Sequence, residues 1–214
     1  MLQITSFVFN ALGENTYLLY DETGECAVID PGCYEQHEKN ELTNFISANK
    51  LTVKILLNTH CHVDHVLGNA FVKDKYGVKL HIHEKDLPVL MAVKIYAFNY
   101  GFQVYHETTP DAYFEEGDII SFGNQHLKIL FVPGHSPGHV AFYSEENKVV
   151  IGGDVLFYNS IGRTDLPGGN YETLINSIHK KLFTLPDDVT VYPGHGPETI
   201  IGFEKRTNPF CKLT

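Results

Sequence analysis

The sequence predicts an α/β chain, with two sheets packed face to face and helices outside, and three observations carry that prediction. Short runs rich in β-branched and aromatic residues alternate with helical patterns in the order strands, helices, strands, helices, giving two similar halves. The chain is 43% hydrophobic and 20% charged over 214 residues, ordinary values for a globular protein with a substantial core. No internal repeat, low-complexity tract or linker interrupts it, so residues 1–214 are expected to form one domain.

The elements follow in order. Leu2–Phe9 and Asn15–Tyr20 read as strands around a polar turn at Ala11–Glu14, and Cys26–Ile29 is a third strand running into Asp30-Pro31-Gly32. Glu35–Ala48 reads as a helix with Leu42, Phe45 and Ile46 on one face. Val53–Leu57 is a short apolar strand, followed by a helix from about Asp64 to Tyr76 and a strand Val78–Ile82. Glu84–Phe102 is helical in character, with aromatics suited to covering a pocket. Strands return at Ile119–Phe122, Leu127–Val132, Val140–Tyr143 and Val149–Ile151. A helix at about Tyr171–Leu182, a strand Val189–Tyr192 and a last helix from about Glu198 complete the chain.

Composition narrows the function classes. Twenty-six acidic against 16 basic residues give a net charge of −10, and no Lys/Arg run occurs, so nucleic acid is not the expected partner. The longest uninterrupted apolar run, Val89–Val93, is far short of the roughly 20 residues that span a bilayer, which argues against a membrane protein. The first 20 residues carry no Lys or Arg and do not read as a signal peptide. Cys26, Cys33, Cys61 and Cys211 show no paired spacing, as expected of free thiols in the cytoplasm.

The chemistry concentrates in Asn58-Thr59-His60-Cys61-His62-Val63-Asp64-His65, an H-x-H-x-D-H cluster. His60 and His62 follow a predicted strand, and an i, i+2 pair in extended backbone points to one face. Asp64 and His65 stand where the chain turns into a helix. Further candidate ligands come just past other strands: His135 in Pro-Gly-His-Ser-Pro-Gly-His139, Asp154 in Gly-Gly-Asp, and His195 in Tyr-Pro-Gly-His-Gly. So many donors suggest two adjacent divalent ions.

This set, in this order, resembles the metallo-β-lactamase fold superfamily. Within it, Ile161-Gly-Arg-Thr-Asp-Leu-Pro-Gly-Gly169 and Glu204…Asn208-Pro209-Phe210 are similar to hydroxyacylglutathione hydrolases (glyoxalase II), the short bacterial type above all. The resemblance implies a four-layer αββα sandwich. It also implies one metal on His60, His62 and His135, a second on Asp64, His65 and His195, and Asp154 bridging them. Asp64 would also orient the attacking hydroxide, Asp30 would orient a ligand histidine from behind, and Arg163 would hold a substrate carboxylate. Full-length glyoxalase II chains continue into helices whose basic residues help hold glutathione, whereas this sequence stops 19 residues after His195. The resemblance therefore carries the thioester chemistry and leaves the thiol carrier open.

The expected function is hydrolysis of a small thioester, S-lactoylglutathione-like, by a hydroxide on two divalent ions, zinc first and iron or manganese as alternatives. Competing readings are a mononuclear-iron persulfide dioxygenase, a hydrolase of lactones or other esters, and a metal-binding module without turnover. The remaining histidines are read without a metal role. His139 supports or packs, His81 and His83 alternate in a strand, and His37, His106, His126 and His179 lie outside any pattern. Cys61 is read as a passive neighbour of the ligands.

Overall fold

The computed structural model describes residues 1–213. In the first half, β1 (Gln3–Phe9), β2 (Glu14–Tyr20), β3 (Glu25–Ile29), β4 (Thr52–Leu57), β5 (Leu80–His83) and β6 (Ala112–Phe114) lie side by side in sequence order. β1 to β3 are antiparallel neighbours, and β3 to β6 are parallel. Parallel neighbours need crossovers. These are α1 (Gln36–Ala48), then α2 (Val63–Val66) with α3 (Asn69–Tyr76), then α4 (Leu87–Tyr96) between short 3₁₀ turns.

The second half supplies β7 (Ile119–Phe122), β8 (Gln125–Phe131), β9 (Val140–Ser144) and β10 (Val149–Gly153). A small hairpin, β11 (Leu156–Phe157) and β12 (Ser160–Ile161), leads to α5 (Tyr171–Lys180). The chain finishes with β13 (Thr190–Pro193), β14 (Thr199–Ile200) and α6 (Ile201–Thr207). The second sheet has the order β14-β13-β10-β9-β8-β7, with β10 and β13 parallel and the other neighbours antiparallel.

Side-chain alternation explains the layers. In β2, Tyr17 and Leu19 face the opposite sheet while Leu18 faces the helices; in β9, Val140 and Phe142 face inward while Ala141 and Tyr143 face α5 and its neighbours. Strands buried on both faces must be apolar almost throughout, and this is how they read in the sequence. Three apolar layers result: helices on the first sheet, sheet on sheet around Leu127, Ile129 and Ile151, and helices on the second sheet. The fold is thus the expected αββα sandwich. All four cysteines are free and buried. Among the described residues, no helix is long and apolar enough to cross a membrane.

Several expected boundaries are corrected. The helix expected over Asp64–Tyr76 is two helices, because Gly68 is pressed against Pro31 and Cys33: its N–H donates to the Pro31 carbonyl at 2.7 Å, and a Cβ there would collide with the Cys33 thiol. The last helix starts at Ile201, not Glu198, since Thr199–Ile200 first pair with Thr190–Val191. The strand expected at Val78–Ile82 is Leu80–His83, set by pairing with Leu56–Leu57 and Ala112–Phe114. β6 and the β11–β12 hairpin have only two or three residues each and gave no periodic signal.

Candidate metal centre

The loops that leave β4, β8, β10 and β13 open at the same end of the sandwich, so residues scattered over His60 to His195 converge there. His60 and His62 lie in the extended loop after β4, and α2 then turns Asp64 and His65 inward. The donor atoms of His60, His62 and His135 lie within 4.8 Å of one another, and so do those of Asp64, His65 and His195. Asp154 stands between the trios: Oδ2 is 3.5 Å from His135 Nε2 and 3.6 Å from His195 Nε2, and Oδ1 is 3.6 Å from His65 Nε2. All seven residues singled out in the sequence are brought together.

The surrounding hydrogen bonds fix what each imidazole presents. His135 Nδ1 donates to the Arg163 carbonyl at 2.7 Å, and His195 Nδ1 to the Gly13 carbonyl at 3.1 Å. His65 Nδ1 faces Asp30 Oδ2 at 3.2 Å. The Thr59 hydroxyl donates to Asp30 Oδ2 at 2.6 Å, so at 3.1 Å from His60 Nδ1 it must accept from that ring. Each of these four rings spends its Nδ1 proton outward and turns Nε2 to the centre. His60 Nε2, His65 Nε2 and Asp154 Oδ1 are buried with no hydrogen-bond partner, and His62 Nδ1 sits only 2.8 Å from His135 Nε2. Converging lone pairs on orphaned, buried donors suit a cation and are costly without one. The residues fit two metal ions.

The electrostatics agree. Burial, then the neighbouring His135, pushes the His62 imidazole down to about 3, and burial likewise holds His60 well below its usual range. Burial also opposes protonation of His65, but Asp64 and Asp154 outweigh it and hold that ring well above its usual range. For Asp154, burial is overcome by His65, and the carboxyl stays far below the ordinary carboxylate range.

Asp30 brings a carboxylate oxygen within 4.8 Å of donor atoms of His60 and His65, a third possible grouping, but its oxygens are already engaged by the protein. Its carboxylate already accepts from Thr59 N at 2.7 Å, the Thr59 hydroxyl, Asn58 Nδ2 at 3.4 Å and His65. Its backbone has φ +49°, a left-handed conformation rare for a non-glycine and tolerated where the surroundings fix it. His139 is also behind the centre, accepting from Asp154 N at 3.0 Å and stacking on the His60 ring at 4.6 Å. Arg163 lies apart from the cluster: its backbone carbonyl holds His135, while its guanidinium makes a two-pronged pair with the Asp165 carboxylate at 2.7 and 2.6 Å on the surface.

Three supporting residues escaped sequence reasoning. Thr59 links Asp30 to His60, as above. Glu14 is fully buried beneath His65, 4.0 Å from its Nδ1, and burial pushes its carboxyl up. Asp86 is bonded to both ligand loops. A buried carboxylate leaves no periodic trace, and Asp86 reads in sequence as an ordinary helix-start residue.

Residues 10–195 match the model of a protein family described as the metallo-beta-lactamase superfamily. The chain belongs to the metallo-beta-lactamase superfamily. Within this superfamily it is 42% identical over 202 residues to the hydroxyacylglutathione hydrolase GloC of Haemophilus influenzae, covering 94% of this chain and 93% of that one. It superposes on the BLEG-1 B3 metallo-beta-lactamase with a TM-score of 0.90 at 32% identity, covering 99% and 100% of the two chains. It is also similar to TTHA1623 in a di-iron-bound form, with a TM-score of 0.86, 38% identity and coverage of 96% and 99%. As a superfamily member with this His/Asp centre, the protein is a metallo-hydrolase.

Proposed function

We propose that this protein is a dinuclear metal-dependent thioesterase acting on a small acyl thioester of the S-lactoylglutathione type. The observation that carries the reading is the meeting of two donor trios at the Asp154 carboxylate. Similarity to a hydroxyacylglutathione hydrolase supports the thioester class. His60, His62 and His135 would hold one ion and Asp64, His65 and His195 the other, with Asp154 shared. Such ions supply Lewis acidity and make hydroxide available near neutral pH, since zinc lowers the pKa of bound water to about 7.

The chain's own residues do the rest. Asp64 Oδ2 lies 3.1 Å from His195 Nε2, and its carboxylate would orient the attacking hydroxide by accepting a hydrogen bond from it. Asp30 holds the tautomers of His65 directly and of His60 through Thr59. A thiolate leaves without help from a strong acid, and no buried acid is needed on the leaving-group side.

The test is metal analysis of protein purified without added metal, followed by a panel of S-lactoylglutathione, a neutral thioester, a lactone, a β-lactam and glutathione persulfide with oxygen uptake. Two ions per chain and fastest turnover of a thioester are expected. A single iron with oxygen uptake, or preference for the β-lactam or lactone, would replace this reading.

Arg163 is proposed as the anchor of a substrate carboxylate. To act so, its guanidinium must exchange Asp165 for the substrate, which limits the gain to about one charge-assisted bond at an exposed position. Arg163→Ala is expected to raise KM for an anionic thioester about 10-fold, about 1.4 kcal/mol, with kcat nearly unchanged and a neutral thioester unaffected. Equal losses on both substrates would remove the role.

A further inference from the structure

Asp86 is a fully buried carboxylate that the donor set does not use. It closes the 3₁₀ turn Glu84–Asp86 at the start of α4, where a short polar side chain usually caps the helix, yet its side chain makes no cap there. Instead Oδ2 accepts the Cys61 N–H at 2.7 Å, and Oδ1 accepts the Ser136 hydroxyl at 2.6 Å and the Gly138 N–H at 2.5 Å. Cys61 stands between His60 and His62, and Ser136 follows His135. Gly138 permits this approach, because a Cβ there would run into the backbone N and Cβ of Asp86.

We propose that Asp86 is a positioning residue for one of the two metal sites only. It clasps the loop of His60 and His62 to the loop of His135, two segments from opposite sheets, and so fixes the separation of the donors that the first ion requires. Three hydrogen bonds converging on one buried carboxyl group make a stiff tie, since each would leave a buried polar group unpaired if broken. Among the described residues, none of its side-chain hydrogen bonds goes to the segment of Asp64 and His65 or to that of His195. The inference rests on the two-ion reading above.

The test is a cobalt(II) titration of metal-stripped wild type, Asp86→Asn, Asp86→Ala and Ser136→Ala, followed by calorimetry and visible absorption. His135→Ala serves to identify the binding step that belongs to the first site. Asp86→Asn should weaken that step about 10- to 100-fold, the usual range for a lost support of a ligand, and leave the other step within about 2-fold. Ser136→Ala removes one bond and should weaken the same step about 5-fold. If Asp86→Ala fails to fold, the other two variants decide. Equal weakening of both steps, weakening of the other step, or no change would overturn the proposal, as would a fall in metal-free melting temperature with cobalt binding intact. A wild-type chain that takes up one ion would overturn the two-ion reading, while the variants compared at that ion still decide for or against Asp86.

Discussion

At the scale of single residues, the two aspartates at the centre differ in what they face. Asp154 Oδ2 faces a ring of each trio, His135 and His195, and its Oδ1 faces His65 with no hydrogen-bond partner, whereas every oxygen of Asp30 already receives protein donors. Asp154→Ala should therefore abolish tight binding of both ions and bring activity close to background. Asp30→Ala should retain metal and lose about 10- to 100-fold in activity or affinity. Metal stoichiometry with steady-state rates on folded variants checks this, and equal losses would show that the roles are misassigned. A second test concerns Asp21, a buried carboxylate that accepts from the Thr23 hydroxyl at 2.5 Å, Gln125 Nε2 at 3.1 Å, Asn124 N at 2.7 Å and Thr23 N at 3.0 Å. Burial opposes ionisation there, but those bonds prevail and hold the carboxyl down at about 2. A depressed carboxyl adds stability above its unfolded pKa of about 3.9 and loses it as pH falls through the folded value. Asp21→Asn should thus be less stable than wild type in urea at neutral pH, with the gap narrowing between about pH 4 and pH 2.

At the scale of elements, the β11–β12 hairpin shows how α6 reaches the site. The buried Glu204 accepts from Asn159 N at 3.2 Å, from the Thr199 hydroxyl at 2.5 Å and from Asn208 Nδ2 at 2.7 Å, and Asn208 in turn donates to the Ser160 carbonyl at 3.0 Å. The hairpin so held puts Phe157 against His195, with ring centres 6.4 Å apart. Glu204→Ala orphans several buried donors and should cost at least about 1–3 kcal/mol in chemical unfolding, with faster amide exchange at Asn159. An unchanged midpoint would contradict it. The hairpin also marks where sequence reading stops. Ligand candidates were legible from local signals: the H-x-H-x-D-H spacing for His60, His62, Asp64 and His65, and glycine or proline just past an apolar strand for His135, Asp154 and His195. The strands β2, β3, β9 and β10 were legible because both their faces are apolar. Glu14 and Asp86 act on partners 25 or more positions away, Thr59 orients its neighbour His60 only through Asp30, and Gly68 breaks a helix only because Pro31 and Cys33 lie beneath it. Such effects are tertiary.

At the scale of the whole molecule, each donor trio draws on both sheets. His60 and His62 come from the first and His135 from the second, and Asp64 and His65 come from the first and His195 from the second. At the opposite end, Asp21 follows the last residue of β2 and binds the β7–β8 turn, so it ties the same two sheets. Between them lies an apolar layer with no covalent link, all cysteines being free. On the two-ion reading the sandwich would work as a clothes-peg, sprung at Asp21 and pinched shut by cations at its jaws. Chelation should then loosen it unevenly: amide exchange at the ends of β4, β10 and β13 should accelerate most near Leu57, Gly153 and Gly194, and hardly at all near Asp21 and Asn124. Added metal should reverse the gradient and raise the melting temperature with concentration, as any ligand of the folded state alone must. Uniform acceleration along the strands would mean that the jaws stay closed without their ions. A gradient would mean that metal supply sets how long this molecule survives as well as what it can hydrolyse.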